Sequence, residues 1–297
     1  MKNTVIIGSS GFLGSAVTNE LLSTGYRVYA TCNRQPLRPQ TGLTVLEGGI
    51  KCLTTEKLQQ IKPEVIFHCA RPVMPRLRRL GRVMAAMQAS RLNTFLLAQI
   101  SACEHKPQLI FASGSLVYGN SDLPHTEDAA LNPVSYAREY HHGERPVLQA
   151  IREQESDVIM LRFPWMVGKG SWFAWFYLKQ LAEHGQVPLF GNGGNLMSLI
   201  SVSDAARWMV RMGNSEMKKG IFNVFSPFSL SQEEFARLVA TYGNGTVTDY
   251  RNLFPGRVEK AVQEAFTSNI IMGTKHPGLM KDFHFQSPEE ILKEIML

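Results

Sequence analysis

The 297-residue chain has no apolar run long enough to cross a bilayer, and no basic-then-apolar leader follows Met1. A soluble, non-exported, cytoplasmic protein without a membrane partner is the expectation. Its four cysteines, Cys32, Cys52, Cys69 and Cys103, lie far apart and form no CxxC pair. That spacing argues against a disulfide framework and for reduced thiols, three of them in segments that read as buried. The eight histidines show no metal-ligand spacing, so no metal is expected. Repeats and low-complexity tracts are missing, which excludes solenoids and arrays. Net charge is only +6, much of it from one stretch, Arg71, Arg76, Arg78, Arg79 and Arg82, rather than from a basic tail. No aromatic residue interleaves with these arginines and no nucleic-acid motif is present, so no nucleic-acid partner is expected. The stretch reads as a solvated helix face or as a site for an acidic ligand.

With 44% hydrophobic residues, the length suits one large α/β domain with an appended lobe. Residues 4–7 form a β-rich apolar run ending at Gly8, and 15–24 read as a helix stopped by Gly25. Strand readings follow at 26–31, 43–46 and 65–69, the last an apolar run of the kind buried on both faces of a parallel sheet. A long helix at 83–103, a strand at 109–112, a helix from near Ser135 and a strand at 158–161 continue the alternation. The pattern predicts an α/β fold built on a doubly wound parallel Rossmann sheet. After Arg162 the rhythm changes, with an aromatic helix at 171–184, a glycine-rich turn at 191–195 and irregular stretches. The expected organisation is a main domain over 1–165 and a smaller, discontinuous C-terminal substrate lobe over 166–297. About 200–226 should return to the main sheet through a helix at 204–212 and a strand at 221–225.

Gly8, Gly11 and Gly14 are spaced as GxxGxxG between the first strand and the first helix. Glycines there let the backbone turn tightly and approach a pyrophosphate, and the helix N-terminus adds free N–H groups and a positive dipole end. Gly8, Ser10, Gly11, Phe12, Leu13 and Gly14 are therefore candidate cofactor-binding residues, and 1–165 is the candidate dinucleotide-binding domain. A site for NAD commonly puts an acid at the end of the second strand. Here that strand ends Ala30-Thr31-Cys32-Asn33-Arg34, without a carboxylate. Arg34, with Arg38 near it, suits a 2′-phosphate, and the expected cofactor is NADP. An ordinary exposed arginine is the plain alternative.

These residues, together with His68-Cys69-Ala70, Ser113-Gly114-Ser115-Leu116-Val117-Tyr118-Gly119 and the stretch from Glu127 to Tyr136, resemble the extended short-chain dehydrogenase/reductase family. The resemblance covers nearly the whole chain. It implies that Tyr136 exchanges a proton with the substrate oxygen while hydride moves to or from a nicotinamide. It also implies that Ala70, Arg71 and the residue four after the tyrosine line the cofactor. In the family that last residue is a lysine, which holds the nicotinamide ribose and lowers the tyrosine pKa; here it is Tyr140. The family's catalytic serine aligns with Gly114, leaving Ser113 or Ser115 to orient the substrate oxygen. Met197 stands where sugar-nucleotide members carry an arginine against the pyrophosphate, and Trp165 where epimerases often carry asparagine. With Trp172, Phe173, Trp175, Phe176 and Tyr177, these changes suggest a small, non-nucleotide, apolar or aromatic substrate. The aromatic stripe reads equally as helix core or a dimer surface. The expectation is an NADP(H)-dependent oxidoreductase of the carbonyl reductase or dehydrogenase type, with an epimerase, or a cofactor-binding pseudoenzyme or non-redox enzyme of the same fold, as alternatives. A homodimer is left open.

Overall fold

The computed structural model describes residues 2–33, 37–74, 78–154, 156–254, 256 and 258–297. The chain opens with β1 (Asn3–Ile7), a glycine turn and α1 (Phe12–Ser23). Val5, Ile6 and Ile7 are all buried, because both faces of this strand are covered. Next come β2 (Arg27–Cys32), β3 (Leu43–Glu47), α2 (Thr55–Ile61), β4 (Val65–His68), α3 (Arg78–Ser101), β5 (Gln108–Gly114), α4 (Ser135–Glu153) and β6 (Val158–Phe163). Beyond them lie β7 (Trp165–Val167), α5 (Lys179–His184), β8 (Gln186–Leu189), β9 (Leu196–Ser201), α6 (Val202–Gly213), β10 (Gly220–Asn223), β11 (Ser229–Ser231), α7 (Gln232–Tyr242) and β12 (Thr246–Asp249).

Seven strands form one sheet in the order β10-β6-β5-β4-β1-β2-β3. From β3 to β5 each pairing is parallel, with Val5 of β1 opposite Tyr29 on one side and Ile66 on the other. This is the doubly wound sheet expected. Strand order runs outward from β1 in both directions, so it reverses between β1 and β4. In open α/β sheets a crevice forms at such a reversal, outside the C-terminal strand ends.

Packing divides the chain into two compact units. The first holds residues 1–113, 139–162 and 206–222, and the second 114–138, 163–205 and 223–297. Residues 114–138 precede the boundary expected at 165 but pack with the second unit. The first unit's core is aliphatic, with Val5, Ile7, Ile66, Leu96, Ile100, Val147 and Met160 among its buried residues. The second unit carries a three-stranded sheet, β11-β9-β7, and a parallel pair, β8 with β12. Its core gathers Phe173, Tyr177, Phe190, Phe235 and Phe266.

The helix expected at 171–184 is a π-helical stretch, Ala174–Leu178, running into α5. Phe173 and Tyr177 are fully buried, and only Trp175 of the stripe is well exposed. Phe173 and Tyr177 belong to the second unit's core, with Trp172 and Phe176 partly buried against it. All four cysteines are free thiols, but only Cys103 is buried. Among the described residues no helix is long and apolar enough to cross a membrane.

Candidate dinucleotide site

The turn after β1 leaves no room for a side chain at Gly8, nor the first turn of α1 for one at Gly14. Gly8 has φ +89°, and a Cβ there would sit 2.8 Å from the Ala70 nitrogen; at Gly14 a Cβ would lie 2.0 Å from the Gly8 oxygen. The Gly11 N–H closes the turn on the Gly8 oxygen at 2.9 Å. Gly11 is the N-cap of α1, yet no side chain caps the helix and its first turn holds no acid. An uncapped helix N-terminus at the sheet's reversal point suits an anionic pyrophosphate, so the residues present fit a dinucleotide. Ser10 and Gly11 are exposed and Phe12 half-buried, whereas Leu13 and Gly14 are buried and support the turn from below.

At the end of β2, Thr31, Cys32 and Asn33 carry no carboxylate, but the register sets exposed Glu47 of β3 opposite Cys32. Arg34, the expected 2′-phosphate ligand, lies outside the described residues, as does Arg76 of the basic stretch.

Around the C-terminal end of β4 the first unit brings several groups together. His68 is buried, its Nε2 3.0 Å from Asn93 Oδ1, and the Asn93 amide donates to the Gly143 oxygen at 2.8 Å. Burial pushes the His68 pKa down to about 4. Ala70 backs Gly8, and the next residue, exposed Arg71, sets its guanidinium carbon 4.8 Å from the centre of the Tyr140 ring. The Ser113 hydroxyl donates to Glu144 Oε1 at 2.9 Å, with both residues buried. Glu144 Oε2 lies 3.8 Å from His141 Nδ1. Arg79 and Arg82 each approach Glu139 at 3.7 Å, so part of the basic stretch faces an acid on α4.

Of the candidate residues, Gly8, Ser10, Gly11, Phe12, Leu13, Gly14, Ala70, Arg71, Ser113 and Tyr140 belong to the first unit, and Ser115 and Tyr136 to the second. Tyr136 is the half-buried second residue of α4, and Ser115, buried, opens the 3-10 turn Ser115–Val117. Sequence reasoning missed Glu144 and the His68–Asn93 pair. The signal for Glu144 was its place in a four-residue spacing, Tyr136, Tyr140, Glu144, along one helix face. Among the described residues no group of three or more His, Cys, Asp and Glu side chains could hold a metal ion.

Within the second unit, the Tyr118 hydroxyl donates to Asn223 Oδ1 at 2.7 Å, and the Asn223 amide donates to the His125 and Gly273 oxygens. Glu127 accepts from the Thr274 hydroxyl and from the backbone N–H groups of Asn223 and Lys275. Burial pushes its pKa up, but these donors outweigh burial and hold it below the usual carboxylate value. Met197 is buried in β9, and Trp165 stacks on Phe266 and meets Trp172 edge-on.

The family described as NAD dependent epimerase/dehydratase matches residues 4–224. Vestitone reductase of Medicago sativa is 24% identical over 263 residues, 79% of each chain. UDP-glucuronic acid decarboxylase 1 of Xenopus tropicalis is 23% identical, covering 96% of this chain and 72% of its own. Among solved structures, an NAD-dependent NDP-hexosamine 5,6-dehydratase of tunicamycin biosynthesis superposes with a TM-score of 0.80 at 18% identity, covering 100% of this chain and 97% of that one. The UDP-glucose 4-epimerase of Thermotoga maritima gives 0.76 at 19% identity, covering 98% and 96%. At these identities the structures establish a shared fold.

Proposed function

The chain belongs to the NAD dependent epimerase/dehydratase family, and from that premise we propose that it is an NADP(H)-dependent oxidoreductase of the carbonyl reductase or dehydrogenase type, acting on a small, non-nucleotide substrate. The observation that carries the reading is the glycine turn, which admits no side chain at Gly8 or Gly14 and ends at an uncapped helix. The choice of NADP(H) is supported by a β2 end without an acid and by Arg34 directly after it; Glu47 is the group that would favour NAD(H). Bound NADPH supplies the hydride. The Tyr136 hydroxyl gives its proton to the substrate oxygen and recovers one from solvent, so that a carbonyl becomes an alcohol. Buried Met197 offers no cation to a pyrophosphate, which weighs against a nucleotide-diphosphate sugar. In this proposal the protein works in the cytoplasm on a small molecule, without nucleic acid or membrane.

One observation favours a second reading. Gly114 replaces the family's serine, and one of the two flanking hydroxyls, Ser113, is engaged by Glu144. A cofactor-binding protein without ordinary turnover would tolerate that arrangement. Calorimetry with NADPH and NADH tests the first reading: NADPH should bind more tightly, and Arg34→Ala should remove about 1.5–3 kcal/mol of the preference. Equal affinities of the native protein would sink the NADP(H) assignment. Once a carbonyl compound is found to turn over, unchanged activity in Tyr136→Phe would remove this tyrosine from the chemistry and favour the second reading.

A further inference from the structure

Building on the dinucleotide reading above, we infer that Arg71 and Tyr140 act as one device, a guanidinium carried on a phenol ring, that holds the nicotinamide half of the cofactor. The position one turn after Tyr136 in α4 holds Tyr140, whose ring has no charge to offer near neutrality. The guanidinium of Arg71 lies against that ring at 4.8 Å from its centre. A planar cation stacked on a ring keeps its N–H edge free for oxygen acceptors, and arginine stays charged at any working pH. Arg71 is exposed and makes no ion pair among the described residues, while the nearby acid on α4, Glu139, faces Arg79 and Arg82. An uncompensated cation beside a cofactor crevice is suited to phosphate or ribose oxygens.

Sheet order says which half of the cofactor this is. The pyrophosphate belongs at the turn after β1, and the adenosine ribose at the end of β2. In this sheet β2 and β4 flank β1 on opposite sides. The other half of the dinucleotide therefore extends toward β4, where Ala70 packs against Gly8 and Arg71 follows it.

The experiment compares NADPH with 2′,5′-ADP, which carries only the adenosine half, by calorimetry on the full chain. Arg71→Ala should weaken NADPH about ten- to hundredfold while leaving 2′,5′-ADP unchanged. Tyr140→Leu should lose about two- to fivefold in NADPH affinity. Adding Tyr140→Leu to Arg71→Ala should cost nothing further, since the platform then has nothing to carry. Arg71 is exposed, so its loss should leave the thermal melt in place. Native-like NADPH binding by Arg71→Ala, or an equal loss of 2′,5′-ADP, overturns the inference. If the native protein binds neither NADPH nor NADH, the dinucleotide reading itself falls.

Discussion

The interiors of the two units are held by different means. In the first, parallel backbone pairing organises aliphatic side chains, and polar pairs lie buried at the strand ends, His68 with Asn93 and Ser113 with Glu144. In the second, strands are short and the core is stacked rings: Phe190 lies 4.2 Å from Phe266 and 4.8 Å from Tyr250, nearly parallel to both. Ladder geometry tolerates polar groups only where a partner is supplied, and one member of each pair, His68 or Glu144, is ionisable. Ring stacking has area and shape but less dependence on charge. The first unit should therefore be sensitive to pH through His68 and the second to volume, with Glu127 of the second unit adding acid sensitivity only below the usual carboxylate pKa.

The largest expected effect is in the second unit. Phe190 is fully buried and touches three other rings. Phe190→Ala should cost about 3–5 kcal/mol in urea unfolding. Hydrogen exchange should show protection falling first in residues 163–205 and 223–297. Protection lost equally across both units would merge the two interiors into one cooperative core and end the comparison.

The next effect sharpens it from the other side. His68 stays neutral in the fold down to about pH 4, whereas the unfolded chain takes its proton near pH 6.5. Its folded pKa is depressed, so there is no penalty above pH 6.5 and stability falls as pH drops from there toward 4. The slope is about 1.4 kcal/mol per pH unit and the total about 3 kcal/mol. Its neighbours Asn93 and Phe111 are uncharged and do not offset the cost. His68→Phe should flatten this limb, while Phe190→Ala should leave its shape unaltered. An acid limb that survives His68→Phe would place the sensitive group elsewhere.

A smaller effect is expected at Ser113. Replacing it with alanine deprives buried Glu144 Oε1 of its donor and should cost about 1–3 kcal/mol. Equilibrium unfolding measures this, and Ser113→Thr, which keeps the hydroxyl, should recover much of it. A neutral Ser113→Ala would mean that water reaches Glu144.

Much of the first unit was legible because its signals are local. Glycine spacing marked the turn, apolar runs marked β1 to β6, and the helices between them followed from periodicity. Missed elements had weaker patterns: α2 spans only seven residues and is announced chiefly by Thr54, whose hydroxyl accepts from the Lys57 N–H. In the second unit β7, β11 and β12 have three or four residues each, too few for a period of two to register. The 171–184 stripe is helical as its pattern predicts, but the π-helical stretch within it breaks the 3.6-residue period that would mark which rings point inward.

By itself, the sequence determined the family, the sheet and the cofactor turn, because each depends on residues near one another in the chain whose backbone demands only glycine or a β-branched side chain can meet. Tertiary structure alone decided which polar groups are buried together and which cation lies over Tyr140. Glu144 reaches Ser113 across 31 residues, and Arg71 reaches Tyr140 from a different strand end. Such encounters depend on how β4, β5 and α4 pack, and packing distance leaves no period or spacing in a one-dimensional string.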